Sequence, residues 1–152
     1  MRGRTIQGVL LGVVVGTAVG IGTYTFAYAK GWSYMTDDAA ACANCHVMRT
    51  EFDGWLKSSH RAVTTCNSCH TPKNFIGKYA TKASNGFWHS FYFTTGLFED
   101  NIQIKKHSLE IVEQACRNCH DEMVHAIDGT HAPTAKEQVS CLHCHKSVGH
   151  LQ

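Results

Sequence analysis

Outside its first 30 residues, the chain contains few aliphatic side chains, which limits the core that the polypeptide can form by itself. The whole chain has only 152 residues. A chain of this size buries too little apolar surface to offset the entropy lost on folding unless other groups contribute. We therefore expect a fold that depends on a cofactor.

The sequence also lacks a marked excess of charge of either sign. Its 14 basic and 12 acidic residues give a formal net charge of +2. Two of the basic residues, Arg2 and Arg4, precede a long apolar segment, which leaves 12 basic against 12 acidic residues in the remainder. There is no basic stripe or nucleic-acid-binding motif, so the sequence gives no indication of a nucleic-acid partner. It also contains no hydrolytic or group-transfer constellation.

Cysteine is abundant by comparison, and all eight cysteines fall into one repeated pattern, C-x-x-C-H. Two cysteines at this spacing can attach to one porphyrin, and the adjacent histidine can then reach its iron. The four motifs are Cys42, Cys45 and His46; Cys66, Cys69 and His70; Cys116, Cys119 and His120; and Cys141, Cys144 and His145. Zinc sites also use paired C-x-x-C motifs, but they need no histidine after every second cysteine. The pattern predicts four covalently attached haem c groups, which would form most of the core.

Residues 6–29 form an apolar run of 24 positions without a charge, which is long enough to span a bilayer. Arg2 and Arg4 precede this run and predict a cytoplasmic N-terminus and a periplasmic C-terminal side. The alternative is a cleaved signal peptide, for which Ala27-Tyr28-Ala29 resembles a cleavage site, but the run is longer than a typical signal core. We expect an anchor over residues 1–30 in the bacterial inner membrane and a periplasmic domain over residues 31–152, on the oxidising side.

Glycines repeat at a spacing of four within the predicted anchor, at Gly8, Gly12, Gly16 and Gly20. Such a face permits close contact with another helix, from a second copy of the chain or from a partner. The alternative is that glycine is simply tolerated in lipid. Aromatic residues near the end of the run are typical of the headgroup region: they are Tyr24, Phe26, Tyr28, Trp32 and Tyr34.

The rest of the chain predicts a mainly α fold with short helices and long loops. Phe52, Trp55 and Leu56 have helical spacing and lead towards His60, and further helices are expected over residues 75–84 and 109–115. The aromatic stretch 86–93 would be core in a soluble domain, or an interfacial segment lying on the bilayer. Gly129 and Pro133 are expected to mark a loop.

The spacing of the motifs indicates a weak internal repeat. Cys42 and Cys66 are 24 positions apart, and Cys116 and Cys141 are 25 apart. We therefore expect two dihaem modules, over about 42–70 and 116–145, separated by a functional insert.

The motif histidines His70, His120 and His145 are the expected proximal ligands of the second to fourth irons. Other histidines compete for the distal positions: His60, His89, His107, His125, His131, His143 and His150. Because His150 follows His145 so closely, it must serve a neighbouring haem, and we assign it to the third. By the same reasoning His60 is assigned to the fourth haem. At the first haem, Met48 offers a second possible ligand beside His46.

These features together resemble the membrane-anchored tetrahaem quinol dehydrogenases of the NapC/NirT type, and among them those that serve cytochrome c nitrite reductases. The resemblance covers nearly the whole chain. It rests on the apolar N-terminus, the four motifs, Cys45-His46-Val47-Met48, Ser59-His60, Lys82 and Cys144-His145-Lys146-Ser147-Val148-Gly149-His150.

The resemblance implies oxidation of menaquinol and electron transfer to the multihaem catalytic subunit of a periplasmic nitrite reductase, in respiratory nitrite ammonification. It further implies that Met48 rather than His46 ligates the first iron and that Lys82 binds the quinol headgroup. We expect the quinol to bind between the first haem, Lys82 and the aromatic segment Phe87 to Phe93. The second haem would take its distal ligand from a lysine of the catalytic subunit. Some relatives carry an aspartate near the quinol, and the corresponding position here is His89, a candidate proton acceptor.

Physical chemistry supports these roles and also leaves alternatives. A thioether stabilises ferrous iron and raises its potential, and a lysine near a quinol hydroxyl favours the deprotonated form. Met48 could instead pack against a porphyrin, and Lys82 could lie on a solvated helix face. The chain could also serve a nitrate, TMAO or similar reductase, or be a reductase itself.

Overall fold

The computed structural model describes residues 2–99, 102–131 and 139–150. Within these ranges every regular element is helical, with eight α-helices and three short 3-10 helices. The predicted mainly α fold is therefore confirmed. The chain divides into two units, one up to Thr36 and one from Asp37 onward.

The first unit is dominated by α1, Arg2–Tyr28, whose 27 residues give a length of about 40 Å. From Gly3 to Tyr28 this helix is long and apolar enough to cross a membrane. A 3-10 helix, Gly31–Met35, follows a left-handed residue at Lys30 (φ 52°). The Phe26 ring lies where a Cβ on Gly31 would stand, so this close approach requires glycine. The first unit includes this 3-10 helix and ends at Thr36, beyond the anchor boundary expected at residue 30.

The second unit is a series of mostly short helices that carry the four motifs. They are α2 (Ala39–Cys42), a 3-10 helix (His46–Met48), α3 (Arg49–Lys57), a 3-10 helix (Ser59–Ala62), α4 (Cys66–His70), α5 (Phe75–Thr95), α6 (Lys106–Cys119), α7 (Asp121–His131) and α8 (Cys141–Cys144). The helix predicted from Phe52, Trp55 and Leu56 is α3. The helix predicted over 109–115 is α6, which extends further at both ends.

The longest helix of the second unit, α5, unites two segments that were predicted separately. It begins where the Asn74 side chain accepts a hydrogen bond from the Gly77 N–H (2.6 Å), and it ends at Gly96, whose φ of 69° suits glycine. The aromatic stretch 86–93 is therefore the second half of one helix. The loop predicted at Gly129 is wrong, because α7 continues through this position; Pro133 lies outside the described residues.

The polypeptide core of this unit is small. Among the described residues, the buried hydrophobic side chains are Ala39, Ile111, Val112 and Ala115. The helices of the second and third motifs, α4 and α6, pack against each other, and α2 and α8 contact α4 and α6 respectively. The long α5 insert in the sequence therefore does not separate the two expected modules in space.

Candidate haem centres and quinol site

Three of the four motifs have the same local structure, a helical turn that brings cysteine and histidine together. Cys66 to His70 form α4. In the third and fourth motifs the His120 N–H donates to the Cys116 carbonyl and the His145 N–H to the Cys141 carbonyl, both at 2.9 Å. This i, i+4 relation places the first cysteine and the histidine on one helix face. One porphyrin can therefore meet a thioether and an imidazole from the same turn.

The first motif departs from this arrangement. Helix α2 ends at Cys42, the Cys45 backbone is extended (φ −86°, ψ 122°), and a 3-10 helix begins at His46. The Met48 N–H donates to the Cys45 carbonyl at 2.9 Å. This bond closes one 3-10 turn, so Met48 lies one turn after Cys45. Met48 is half-buried and His46 is exposed, an arrangement that favours Met48 as the ligand of the first iron.

Two pairs of histidine rings have the separation expected for ligands of one iron. With metal–nitrogen bonds of about 2 Å, imidazoles on opposite sides of a metal have ring centres roughly 6 Å apart. The ring centres of His60 and His120 are 6.1 Å apart, and those of His70 and His150 are 6.0 Å apart. The donor set of the chain therefore fits haem iron. Among the described residues, no group of three or more His, Cys, Asp or Glu side chains could hold a metal ion by itself.

The pair formed by His70 and His150 has surroundings that suit metal ligation. His150 Nδ1 lies 2.8 Å from the Glu51 carbonyl oxygen, which leaves its Nε2 available to a metal. Burial, assisted by the charge of His150, lowers the pKa of His70. A neutral ring is the form that ligates iron. Nearby, Trp55 Nε1 is buried without a hydrogen-bond partner among the described residues and could donate to a haem substituent.

These pairs differ from the pairing expected from sequence spacing. His60 was assigned to the fourth haem and lies against His120 of the third motif; His150 was assigned to the third haem and lies against His70 of the second. The packing of α4 on α6 and the return of the C-terminal residues onto α3, through Glu51, account for the difference. In the described part of the chain, no second histidine ring pairs with His145.

Lys82 lies at the centre of a charged cluster that sequence analysis missed. Its side chain is only 7% exposed, and its Nζ is 3.2 Å from Asp37 Oδ1. Lys78 pairs with the other carboxylate oxygen of Asp37, and Asn67 Nδ2 donates to Oδ1 at 2.7 Å. We call Asp37, Asn67, Lys78 and Lys82 the Asp37 cluster. The burial of Lys82 rules out a solvated helix face.

Asp37 is the exposed member of this cluster, with 51% of its side chain accessible. Hydrogen bonding from Lys78, with smaller contributions from Lys82 and Asn67, lowers the pKa of Asp37 to about 2. The charge of Lys82 also acts on the Cys42 thiol of the first motif. Lys82 therefore lies near the attachment site of the first haem. Asp37 has no sequence signature, because it stands in a short connection outside any motif.

His89 lies two turns after Lys82 on the same face of α5, about 10 Å along the helix axis. The structure therefore aligns these two residues but does not bring them into contact. Partial burial, and to a lesser degree Lys105, lowers the pKa of His89. Phe93 is on the same face, whereas Phe87 and Phe91 lie on the opposite one. The aromatic segment predicted to line one quinol pocket is thus divided between two faces.

The opposite face of α5 forms an open groove of about 450 Å³, lined by Phe87, Ser90, Phe91, Thr94 and Thr95. The rings of Phe87 and Phe91 stack with centres 6.4 Å apart. Between the two faces, Lys105 Nζ lies 4.9 Å from the Tyr92 ring centre and holds the residue before α6 against α5.

Comparison with known proteins identifies the family of this chain. Residues 4–152 match the N-terminal region of the NapC/NirT cytochrome c family. The cytochrome c-type protein NrfH of Wolinella succinogenes is 34% identical over 146 residues, covering 91% of this chain and 82% of that protein. The cytochrome c nitrite reductase subunit NrfH of Nitratidesulfovibrio vulgaris is 28% identical, covering 82% and 74%.

A solved structure is also similar, the crystal structure of the cytochrome c nitrite reductase NrfHA complex bound to the HQNO inhibitor. It has a TM-score of 0.61 and 28% identity, with 97% of this chain and 90% of that chain covered. The family match spans nearly every residue, and the four attachment motifs lie within it. The chain therefore belongs to the NapC/NirT cytochrome c family and is an NrfH-like tetrahaem c-type cytochrome.

Proposed function

We propose that this protein oxidises menaquinol at its first haem and passes the electrons to the multihaem catalytic subunit of a nitrite reductase. The partner is inferred from the two NrfH relatives and from the NrfHA complex. The observation that carries the quinol step is the buried ammonium of Lys82, held beside the first attachment motif by Asp37. The four haem c groups, when bound, supply one-electron transfer, which the protein tunes through their ligands and surroundings.

Lys82 is suited to bind a quinol hydroxyl. A buried cation strongly favours the deprotonated form of a group beside it, because the surrounding dielectric is lower than that of water. Asp37 has two other donors, Asn67 and Lys78, which keep its carboxylate satisfied when Lys82 turns towards a quinol oxygen. Lys82 can therefore leave Asp37 for a quinol oxygen while the Asp37 carboxylate keeps its other two donors.

His89 is proposed as a proton acceptor for the same reaction. Oxidation of a quinol releases two protons with two electrons, so an acceptor is required. Because its pKa is lowered, His89 is neutral at neutral pH and able to take a proton. Its side chain is only partly buried, and its solvent-accessible part lets the proton continue to solvent. Arg2 and Arg4 lie at the start of α1 and favour a cytoplasmic N-terminus, so we propose that the haem domain is periplasmic and that the protons are released on that side.

The four motif cysteine pairs are proposed to attach the haems, with Met48, His70, His120 and His145 as ligands from the motif side. The distal ligand of the second haem has two candidates. The resemblance implies a lysine of the catalytic subunit, and the 6.0 Å separation from His70 favours His150. His60 is the corresponding candidate for the third haem.

The decisive test of the quinol site is Lys82→Leu in the full-length, four-haem protein in membranes. We expect menaquinol oxidation to be lost, while an artificial one-electron donor still reduces all four haems and the partner. Lys78→Leu is the matched control, because Lys78 is on the same helix and pairs with the same carboxylate but is more exposed. Equal losses in both variants would assign the effect to the ion pairs of Asp37, and undiminished turnover in Lys82→Leu would refute the site.

A further inference from the structure

The residues that lead into the fourth motif are held by the carboxylate of Glu113 on α6. Its oxygens accept hydrogen bonds from the Ser140 hydroxyl (2.5 Å), the Cys141 N–H (2.9 Å) and the Leu142 N–H (3.2 Å). Amides at the start of a helical turn have no acceptor within the turn itself. Glu113 supplies that acceptor from 27 to 29 positions earlier in the chain.

Arg117, one turn after Glu113, binds a backbone carbonyl of the same segment. Its Nη2 donates to the Val139 carbonyl at 2.7 Å, and its Nη1 pairs with Asp128 of α7. The side chains of Arg117 and Asp128 are 11% and 20% exposed. Arg117 stands between Cys116 and Cys119, so a residue inside the third motif fixes the entry to the fourth. We call Glu113, Arg117 and the residues they hold the Glu113 cluster.

The charge of Glu113 is maintained in this position. Burial opposes its ionisation, but the hydrogen bonds from Ser140, Cys141 and Leu142 outweigh that effect and lower its pKa. A full negative charge thus lies within hydrogen-bond distance of the Cys141 backbone. Helix α8, which begins at Cys141, contacts α6, which contains Cys116, so the third and fourth motifs lie on neighbouring helices.

We propose that Glu113 and Arg117 are positioning residues for the fourth haem, and that the Glu113 carboxylate lowers the reduction potential of that haem. The donors fixed by Glu113 belong to the turn that carries Cys141, and the acceptor fixed by Arg117 precedes it. Together they set the fourth motif against the third. A fixed negative charge near an iron favours its ferric state, which lowers the potential. This inference does not depend on quinol oxidation.

The experiment compares Glu113→Gln with Glu110→Gln in the purified four-haem protein. Glu110 lies on the same helix one turn earlier and is exposed, so both variants lose one acidic charge. In a potentiometric titration, we expect one of the four midpoint potentials to rise in Glu113→Gln and none in Glu110→Gln. Hydrogen exchange followed by mass spectrometry should show about fivefold faster exchange of residues 139–145 in Glu113→Gln alone.

A further variant separates the effect of the Glu113 charge from the effect of its side-chain length. Glu113→Asp keeps the charge on a shorter side chain, so the exchange should accelerate while the potentials stay close to those of the wild type. If Glu113→Gln does not accumulate with four haems, the mass of the product decides: a three-haem chain that lacks the fourth haem supports the proposal, and loss of another haem first overturns it. Four unchanged potentials, or unchanged exchange of residues 139–145, in a four-haem Glu113→Gln protein would also overturn it.

Discussion

The two halves of the haem domain each contain one central carboxylate, and the two carboxylates bind different kinds of donors. Asp37, in the first half, accepts hydrogen bonds from the side chains of Asn67, Lys78 and Lys82. Glu113, in the second half, accepts from one hydroxyl and two backbone N–H groups. Long side chains can turn away from a carboxylate, whereas a backbone amide cannot leave without moving the chain.

The comparison indicates that the first half is built for exchange and the second for fixed geometry. Asp37 is half-exposed beside a buried lysine, as expected where a substrate must enter and leave. In the same half, the first motif lacks the helical turn that the other three motifs share. The Glu113 cluster, by contrast, ties α6 to α7 and to the entry of α8.

The largest expected effect concerns the irregular first motif. In Met48→Ala we expect the spectroscopic signal of the first iron to change and quinol oxidation to fall sharply, because the half-buried thioether is its proposed ligand. His46→Ala is the matched control, since His46 is exposed and should leave that signal intact. Electron paramagnetic resonance of the oxidised proteins measures both. An unchanged Met48→Ala spectrum would remove the proposed distinction between the first motif and the others.

Substitution of the paired histidines tests whether each pair ligates a single iron, with one ligand from each half of the domain. If His60 and His120 ligate one iron, His60→Ala and His120→Ala should lose the same low-spin signal, and His70→Ala and His150→Ala should share another. Each variant should convert one low-spin haem to high spin. Under the pairing expected from spacing alone, His60→Ala would instead match His145→Ala, and His150→Ala would match His120→Ala.

Exchange of the two carboxylates for amides should give opposite patterns. Asp37→Asn removes the charge that holds Lys82, and we expect kcat/KM for quinol to fall about tenfold, the scale of a lost charged hydrogen bond. The exchange rate of residues 139–145 should stay unchanged. Glu113→Gln should do the reverse, with quinol oxidation retained. If both variants impair quinol oxidation equally, the two halves do not divide their roles in this way.

The smallest expected effect is a difference in acid stability. Because the folded-state pKa of Asp37 is about 2 and its ordinary value is 3.8, its ionised form contributes stability that is complete above about pH 4. That contribution is lost as the pH falls from about 4 to 2. Asp37 is exposed, so the contribution is small. The pH at which half of the protein is unfolded should therefore differ only slightly between Asp37→Asn and the wild type. Glu110→Gln, which also removes an exposed carboxylate, is the control.

The sequence predicted the features that depend on local pattern. Residue spacing identified the four attachment motifs and α3, and the uncharged apolar run identified the N-terminal helix; α6 was also expected, over a shorter range. Lys82 was singled out from the resemblance and not from its surroundings, and its role at the quinol stays a prediction. Helix α5 was divided in two because its aromatic second half obscured a continuous helical period. Gly129 was taken for a loop because glycine is a poor helix former, a preference that the rest of α7 outweighs.

The contacts between motifs could not be predicted in this way. Asn67 and Arg117 occupy the variable positions of their motifs, where any residue fits the pattern, yet each joins separate segments of the chain. Asp37 and Glu113 are ordinary acidic residues until the fold brings donors to them. The histidine pairs depend on the packing of α4 against α6, which spacing along the chain does not specify.

The small core of the haem domain has a consequence for how much of the protein a cell can hold. The buried hydrophobic side chains among the described residues are two alanines, one valine and one isoleucine. A chain that has not yet received its haems therefore has little to keep it folded, and proteases act on such open forms. Delivery of haem would then compete with degradation. The abundance of the finished cytochrome would follow the rate of haem supply more closely than the rate of its own synthesis.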